Sequence, residues 1–189
     1  MFFGQKNMFL ERRSSVSTKR IIISSISILL TILWICFIFS NSADTAAESS
    51  SKSETVQEIV NDVIDAVGGE GNVTEHAVRK FAHFFEFAVL SALFTADVLA
   101  LGLIPLPVLP LKKKLYHLWL LLPLSASVAL AVTDEALLQN LSEGRGPSPK
   151  DVLIDSLGAL CGLILSVLII LLASAIYIKL KARSDPPTK

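Results

Sequence analysis

Apolar residues along this 189-residue chain are gathered into four long blocks that polar segments separate. The blocks run from Ile21 to Phe39, from about Phe81 to Ile104, from about Leu115 to Val132 and from about Val152 to Ile178. A helix needs about 20 apolar residues to cross the hydrocarbon core of a bilayer. The pattern therefore predicts an all-α integral membrane protein, built as a bundle of four transmembrane helices.

The composition agrees with this class and excludes others. Hydrophobic residues make up 52% of the chain and the mean hydropathy is +0.59, which is too apolar for a soluble protein of this size. The formal net charge is zero, so no bulk charge points to nucleic acid. Cys36 and Cys161 both lie inside apolar blocks, which favours small packed hydrophobic residues over a disulfide.

The first block also invites a second interpretation, because a basic stretch precedes it and small residues follow it, as in signal peptides. The apolar core of a signal peptide is about 7–15 residues long, which is shorter than this block. We therefore interpret the block as a membrane helix and keep the signal peptide as the alternative.

Charge predicts the orientation of the four helices. Basic residues gather in the first 20 residues, in the loop Lys112–Lys114 and after residue 178, whereas segment 41–80 carries eight acids and three basic residues. Lys and Arg accumulate on the cytoplasmic side of membrane proteins. We therefore expect both ends and the Lys112–Lys114 loop in the cytoplasm, with the other two loops extracytoplasmic. The predicted regions are a basic N-terminus at 1–20, a membrane domain at 21–178 and a basic tail at 179–189.

Two features stand out in the outer loops. Residues 41–53 have the composition of a flexible linker, and residues 54–67 then alternate apolar and acidic positions at helical spacing, after a capping box formed by Ser51 and Glu54. This predicts an amphipathic helix that rests on the protein or at the membrane interface, with a lid over the polar site as the alternative. In the second outer loop, Ser148 as N-cap and Pro149 predict a helix start.

Polar residues converge at the outer ends of three predicted helices. Ionisable groups at membrane depth cost about 2.5–3.5 kcal/mol each, so several together indicate a binding site by default. Spacings of three and four residues place each set on one helix face. The candidates are Arg79, His83 and Glu86, then Asp134, Glu135 and Gln139, then Arg145 in the following loop, and finally Asp151 and Asp155.

These residues allow several kinds of chemistry. His83, Glu86 and Glu135 are the candidates for catalysis, and an internal ion pair of Glu86 or Glu135 with Arg79 or Arg145 is an alternative use. A helix-start role accounts for Asp151 without chemistry. The residues predicted to be ordinary interface residues are Arg79, Lys80, Glu143 and Lys150. The set lacks a second nearby His or any Cys, and the chain has no phosphate-binding glycine loop, so we expect no metal and no cofactor.

Two polar residues, Asp155 and Asp97, lie deeper in the apolar blocks. Asp155, Gly158, Gly162 and Ser166 form a stripe that contains a GxxxG motif, in which small residues let helices approach closely. Packing inside the bundle is the favoured interpretation, with dimerisation as the alternative, so the oligomeric state stays open. Asp97 is predicted to pair with the Lys112–Lys114 loop.

The order of these motifs resembles the VanZ-like family. The matching segments are Arg79–Leu90 (RKFAHFFEFAVL), Asp134–Gln139 (DEALLQ), Gly144-Arg145, Asp151-Val152 and Gly158-Ala159, with Phe39-Ser40 ending the first block. Three positions depart from the family pattern: Phe87 stands where tyrosine is common, Asp155 where asparagine is common, and Glu143 where proline is usual. The resemblance implies a bacterial cell-envelope membrane protein, and the family's namesake is associated with resistance to teicoplanin, a glycopeptide that binds peptidoglycan precursors.

Two classes of function follow from the resemblance and the polar residues. In the favoured one, the protein binds or protects an envelope lipid, a peptidoglycan precursor or a glycopeptide at the outer leaflet. In the alternative, it is an enzyme that modifies an envelope lipid, with His83 or Glu86 as general acid or base and Arg79 or Arg145 holding an anionic group. A channel is disfavoured, because polar groups at one membrane face do not make a path.

The predicted orientation can be tested with cysteine labelling in intact cells, after Cys36 and Cys161 are replaced. A cysteine near Asn61 or Gly146 should react with a membrane-impermeant thiol reagent because both positions are predicted to face outward. A cysteine near Lys113 should react only after the cells are opened. Labelling near Lys113 in sealed cells would reverse the orientation.

Overall fold

The residues that the structure describes form five long helices and one short π-helical turn. The computed structural model describes residues 3–68, 72–104, 114–139, 141 and 146–184, with the side chains of 3–17, 114–118 and 138–139 outside that description. In chain order the elements are α1 (Phe3–Ser42), α2 (Ala46–Ala66), α3 (Glu75–Ala100), α4 (Lys114–Thr133), the π-helical turn (Asp134–Gln139) and α5 (Pro149–Ser184).

Four stretches of these helices are long and apolar enough to cross a membrane, which confirms the predicted fold class. They are Thr18–Ser42, Glu75–Ala100, Trp119–Leu137 and Pro149–Ser184. The helices extend beyond the apolar blocks because capping groups lie in the polar flanks. At the start of α3, for example, the Thr74 hydroxyl accepts the backbone N–H of Ala77 at 3.3 Å, which satisfies one of the free donors of a first helical turn.

The predicted flexible linker at 41–53 is wrong from Ala46 onward, because α2 begins there. Its capping box is formed by Thr45 and Glu48, and not by Ser51 and Glu54 as predicted. The Thr45 hydroxyl accepts the backbone N–H of Glu48 at 3.3 Å, and the Glu48 carboxylate accepts the N–H of Thr45 at 2.9 Å. These backbone and side-chain hydrogen bonds from Thr45 hold the pKa of Glu48 below its ordinary value. Gly68, with φ +74°, follows the end of α2 in agreement with the predicted stop.

Contacts between helices show in which direction each helix runs relative to the others. The Arg20 guanidinium donates to the carbonyls of Ala100 and Leu101, so the start of the apolar part of α1 lies at the end of α3. At the other end of α1, the Ser42 hydroxyl donates to Asp134 at 2.7 Å. The end of α1, the start of α3, the end of α4 and the start of α5 therefore share one end of the bundle, which we call the site end.

Two glycines allow α3 and α5 to run side by side in the same direction. A Cβ added to Gly158 would collide with the backbone carbonyl of Phe84, and one added to Gly162 would collide with that of Ala88. The four-residue step is the same on both helices, so the backbones stay in contact over a full turn. This confirms the packing role predicted for the GxxxG motif. The small core beside this contact contains Ile38, Phe87, Leu90, Ala131 and Ala159.

The end of the bundle opposite the site end has a polar contact of its own. Asp97 is buried, and it accepts hydrogen bonds from the hydroxyls of Ser27 and Thr31, the latter at 2.7 Å. Its described partners therefore lie on α1. The predicted pairing with the loop Lys112–Lys114 falls outside the described residues. The hydroxyls satisfy a carboxylate that would otherwise be costly to bury.

The contact between α3 and α5 yields the first structural prediction. Gly158→Ala and Gly162→Ala should each lower the stability by about 1–3 kcal/mol, because a methyl group overlaps a carbonyl that the facing helix cannot move freely. Thermal denaturation in detergent and membrane abundance would measure the loss. Gly146→Ala is the control, since a Cβ there meets nothing within 4 Å. Unchanged denaturation temperatures in both helix variants would contradict a close backbone contact.

Candidate functional site

The structure gathers most of the candidate residues at the site end, in two adjoining groups. The first, which we call the cavity group, surrounds a cavity under α2 and includes Arg79, His83 and Glu86. The second, which we call the carboxyl group, consists of Asp134, Glu135, Asp151 and Asp155. Of the remaining candidates, Arg145 and the side chain of Gln139 lie outside the described residues.

Glu86 is the centre of the cavity group. Its side chain is buried on α3, one carboxylate oxygen accepts the side-chain amide of Asn41 at 2.8 Å, and the other lies 3.6 Å from Nδ1 of His83. The indole N–H of Trp34 donates to the Glu86 backbone carbonyl at 2.9 Å. Two residues of α1 thus hold this turn of α3, so contacts within the protein position the Glu86 side chain beside His83.

The cavity beside this pair measures about 230 Å³ and lies between α2, the end of α1 and the first turns of α3. Its wall has a polar part and an apolar part, and α2 covers it. The polar lining includes Asn41, Asp44, Lys52, Arg79, His83 and Glu86, and the apolar lining includes Val56, Val78, Phe81 and Ala82. A space of this mixed character is suited to a molecule that has both a polar and an apolar part.

The cationic residues around the cavity have partners near its rim. Arg79 forms an ion pair with Glu75 at 3.5 Å and contacts His76 at 3.3 Å. Of the two predicted partners for Glu86 or Glu135, Arg79 is therefore wrong, because the carboxylate one helical turn earlier is closer. The other, Arg145, lies outside the described residues. Lys52 on α2 forms an ion pair with Asp44 at 2.6 Å, which ties α2 to the end of α1.

The carboxyl group is assembled by the π-helical turn and by α5. Asp134 and Glu135 are both buried where α4 widens into the π-helical turn, a feature that is frequent at functional sites. Asp134 accepts the Ser42 hydroxyl, and Glu135 accepts the backbone N–H of Ser148. The loop before α5 is thereby held against the end of α4.

Lys80 has a different role from the one predicted. Its ammonium group forms a close ion pair with Asp151, and both side chains are only about one-fifth exposed, at 21% and 17%. The prediction of an ordinary interface residue is wrong, because the parallel contact of α3 and α5 brings their first turns together. The helix-start role of Asp151 is kept, since its backbone N–H bonds to the Ser148 carbonyl at 2.9 Å.

Asp155 is the most isolated carboxylate of the group. Its side chain is only 1% exposed, and neither of its carboxylate oxygens has a hydrogen-bond partner among the described residues. It lies close enough to Asp134 and Glu135 to interact with their charges. Buried polar groups in proteins are almost always hydrogen-bonded. Asp155 is an exception to this rule, and it lies beside two further buried acids. Its burial does not contribute to stability, so Asp155 is a candidate functional group.

The arrangement offers proton-transfer groups but no described metal centre. Within the residues that the structure describes, no three His, Cys, Asp or Glu side chains are placed to hold a metal ion. A histidine next to a carboxylate at a cavity wall can act as a general acid or base, provided a substrate brings a titratable atom within hydrogen-bond distance. The same groups can also hold a bound polar headgroup by hydrogen bonds alone.

Sequence reasoning missed three residues of α1 that contact the site, Trp34, Asn41 and Ser42. Each donates a hydrogen bond to α3 or to the π-helical turn. The only sequence signal was that Asn41 and Ser42 are polar and follow an apolar block directly. That position is also typical of an exposed loop, so the pattern alone does not show that they point inward.

Comparison with known proteins agrees with the resemblance seen in the sequence. A family model described as VanZ/LLP1 matches residues 27–172, which cover all four membrane-spanning stretches in whole or in large part. The match includes every candidate site residue. No curated protein and no solved structure matches the chain.

The ion pair between α3 and α5 can be tested by exchanging its charges. Lys80→Asp and Asp151→Lys should each destabilise the protein, and the double variant should recover part of the loss, with a coupling of about 0.5–3 kcal/mol. Thermal denaturation in detergent would measure it. The pair Glu75 and Arg79, on one helix, is the control, with an expected coupling of about 0.3–0.5 kcal/mol. Purely additive losses at Lys80 and Asp151 would show that the two charges are not coupled.

Proposed function

The chain belongs to the VanZ/LLP1 family, and from this premise we propose that it binds an envelope amphiphile at the outer leaflet of a bacterial cell membrane. The amphiphile is an envelope lipid, a lipid-linked peptidoglycan precursor or a glycopeptide of the teicoplanin type. The observation that carries the proposal is the cavity under α2, in which a charged wall and an apolar wall meet at one end of a membrane bundle.

The size of the cavity suggests how such a molecule binds. Pockets that enclose a small ligand measure about 300–1,000 Å³, and this one is smaller, at about 230 Å³. It can accept a headgroup or part of a sugar, but not a whole amphiphile. The apolar remainder stays in the lipid, where Phe81, a cavity residue that is 68% exposed, offers a surface to pack against.

The chemistry of the wall supports recognition of a polar headgroup. Lys52 and Arg79 provide cationic donors, Asn41 provides an amide, and Glu86 provides a carboxylate beside His83. Since these groups are already held by neighbours, the cavity is organised before a ligand arrives, and little side-chain entropy is lost on binding. A preformed site of this kind can act by binding its ligand, without a chemical step.

The distribution of basic residues supports an outward-facing site end. Arg20 lies at the end of the bundle opposite the site end, beside Ala100, and the last turn of α5 carries Lys181 and Arg183. Because α5 begins at the site end, these residues also lie at the opposite end. Lys and Arg favour the cytoplasmic side of a membrane, so the proposed orientation puts the cavity on the extracytoplasmic side.

A second function is favoured by one specific distance. Nδ1 of His83 lies 3.6 Å from Glu86 at the cavity wall. This is longer than a hydrogen bond, but a small movement on binding a headgroup would let the two side chains act as general acid and base. Glu135 lies in the adjoining carboxyl group and is the further candidate. In this alternative the protein is an enzyme that modifies an envelope lipid.

The proposal predicts a difference between two glycopeptides. Overproduction of the protein should raise tolerance to teicoplanin more than to vancomycin, because teicoplanin carries an acyl chain and works at the membrane surface. Ala82→Leu should abolish the effect by filling the cavity, whereas Ala77→Leu, at an exposed position of the same helix, should not. Minimal inhibitory concentrations at matched membrane abundance would provide the measurement.

The same assay separates the two functions. Glu86→Gln preserves the shape and most hydrogen bonds of the side chain, so a binding protein should keep part of its effect, whereas a general base should lose all of it. Equal tolerance to both drugs would favour the enzyme, since it points to an altered precursor. Unchanged tolerance to both drugs, at verified expression, would contradict a protective role against glycopeptides.

A further inference from the structure

The helix α2 carries an apolar stripe that is largely exposed. Its members are Val56, Ile59, Val63 and Val67, with exposed fractions of 46%, 58%, 58% and 77%. Steps of three, four and four residues put them on one narrow face of the helix. The sequence alone left open whether this face rests on the bundle or at the membrane interface, and the structure shows that the bundle does not cover it.

The flank of α2 next to this stripe attaches the helix to the bundle. Ser49 and Ser53 are buried there. Further along, Asn61 fixes the helix to the segment before α3: its amide donates to the Val73 carbonyl at 3.3 Å and its side-chain oxygen accepts the Val73 N–H at 2.9 Å. The attachment thus uses polar side chains, and Val56, which also lines the cavity, is the member of the stripe beside it. Packing against the residues that the structure describes does not explain the exposed part of the stripe.

A third face of the helix is acidic and exposed. It consists of Glu54, Glu58, Asp62 and Asp65. Helical spacing puts these acids on the side roughly opposite the apolar stripe. A helix attached by one flank, apolar on a second and charged on a third has the pattern of a helix that lies in a membrane interface.

The stripe also continues the surface that faces lipid. Val56, its first residue, lines the same cavity as Phe81 of α3. Phe81 and Phe85 are large exposed apolar residues, one turn apart, on a helix that is apolar and long enough to span a membrane. The exposed apolar surface therefore runs from the membrane-spanning part of α3 onto α2 with only the cavity mouth between them.

We propose that α2 is an interfacial helix that inserts this stripe at the boundary between headgroups and acyl chains, and that its partner is zwitterionic lipid. The choice of lipid follows from charge. Interfacial helices that bind anionic membranes carry Lys and Arg on their polar face, whereas the polar face of α2 has four acids and, at its other end, Lys52 paired with Asp44. In this position α2 holds the cavity mouth at the depth of the lipid headgroups.

Spin labels on neighbouring residues test the insertion directly. The full chain with Cys36→Ala and Cys161→Ala would be labelled at Val63→Cys or, as the matched control, at Asp62→Cys, and reconstituted in phosphatidylcholine vesicles. Collision with oxygen reports lipid, and collision with a water-soluble nickel chelate reports water. The label at residue 63 should show a ratio of oxygen to nickel accessibility several-fold higher than the label at residue 62. A label at Ile59→Cys, on the same stripe, should give a ratio like that at residue 63, which would show that the result does not come from a local disturbance by one label.

Two results would overturn the proposal. Equal nickel accessibility at residues 62 and 63 would mean that the stripe stays in water. Protection of residue 63 from both reagents would mean that a protein, either a second copy or another partner, covers the stripe. The lipid class has its own test: adding phosphatidylglycerol should lower the oxygen-to-nickel ratio at residue 63, and a rise would refute the preference for zwitterionic lipid.

Discussion

The direct backbone contact between α3 and α5 is the constraint on which the remaining structure depends. Gly158 and Gly162 leave no room for a side chain against the carbonyls of Phe84 and Ala88, and in lipid such close packing replaces the hydrophobic drive that joins helices in water. Since the two helices run in the same direction, their first turns meet. Asp151 then reaches Lys80, and Asp155, one turn before Gly158, is turned into the bundle.

Contacts of a different kind hold α1 in place. Its apolar residues face outward over much of its length. Its hydrogen-bonding residues contact α3 toward both ends of the bundle: Ser24 and Thr31 toward one end, and Trp34 and Asn41 toward the other. A hydroxyl or amide without a partner is costly in hydrocarbon, so these bonds determine which face of α1 turns inward. One of them reaches Glu86, and α1 thereby orients the side chain at the cavity.

Much of this arrangement could be predicted from the sequence, because hydrophobic block length and helical spacing are local properties. They predict the four membrane helices, the shared end of the bundle and the inward-facing GxxxG motif. The failures concern the partners of charged side chains and the start of one helix. Lys80 was assigned to the interface, although a parallel neighbour brings Asp151 to it. Arg79 was paired with Glu86 or Glu135, although Glu75, one turn earlier on the same helix, is closer. The start of α2 was missed because two capping-box patterns, Thr45 with Glu48 and Ser51 with Glu54, follow one another in a serine-rich segment, and the local pattern does not decide between them.

The carboxyl group indicates why a membrane protein would keep so costly a feature. Replacing buried charges with apolar residues of similar volume often leaves stability unchanged or improves it, and Asp155 has no hydrogen bond among the described residues to offset its burial. Asp134 accepts a hydroxyl and Glu135 accepts a backbone N–H, which are neutral donors. Stability therefore does not account for three buried acids at one end of the bundle, next to a cavity with a histidine. Both proposed functions use this excess of acidic groups, and they differ in whether a proton moves. A binding protein needs the acids only as hydrogen-bond acceptors for a headgroup. An enzyme needs at least one of them, or His83, to change its protonation state during the reaction.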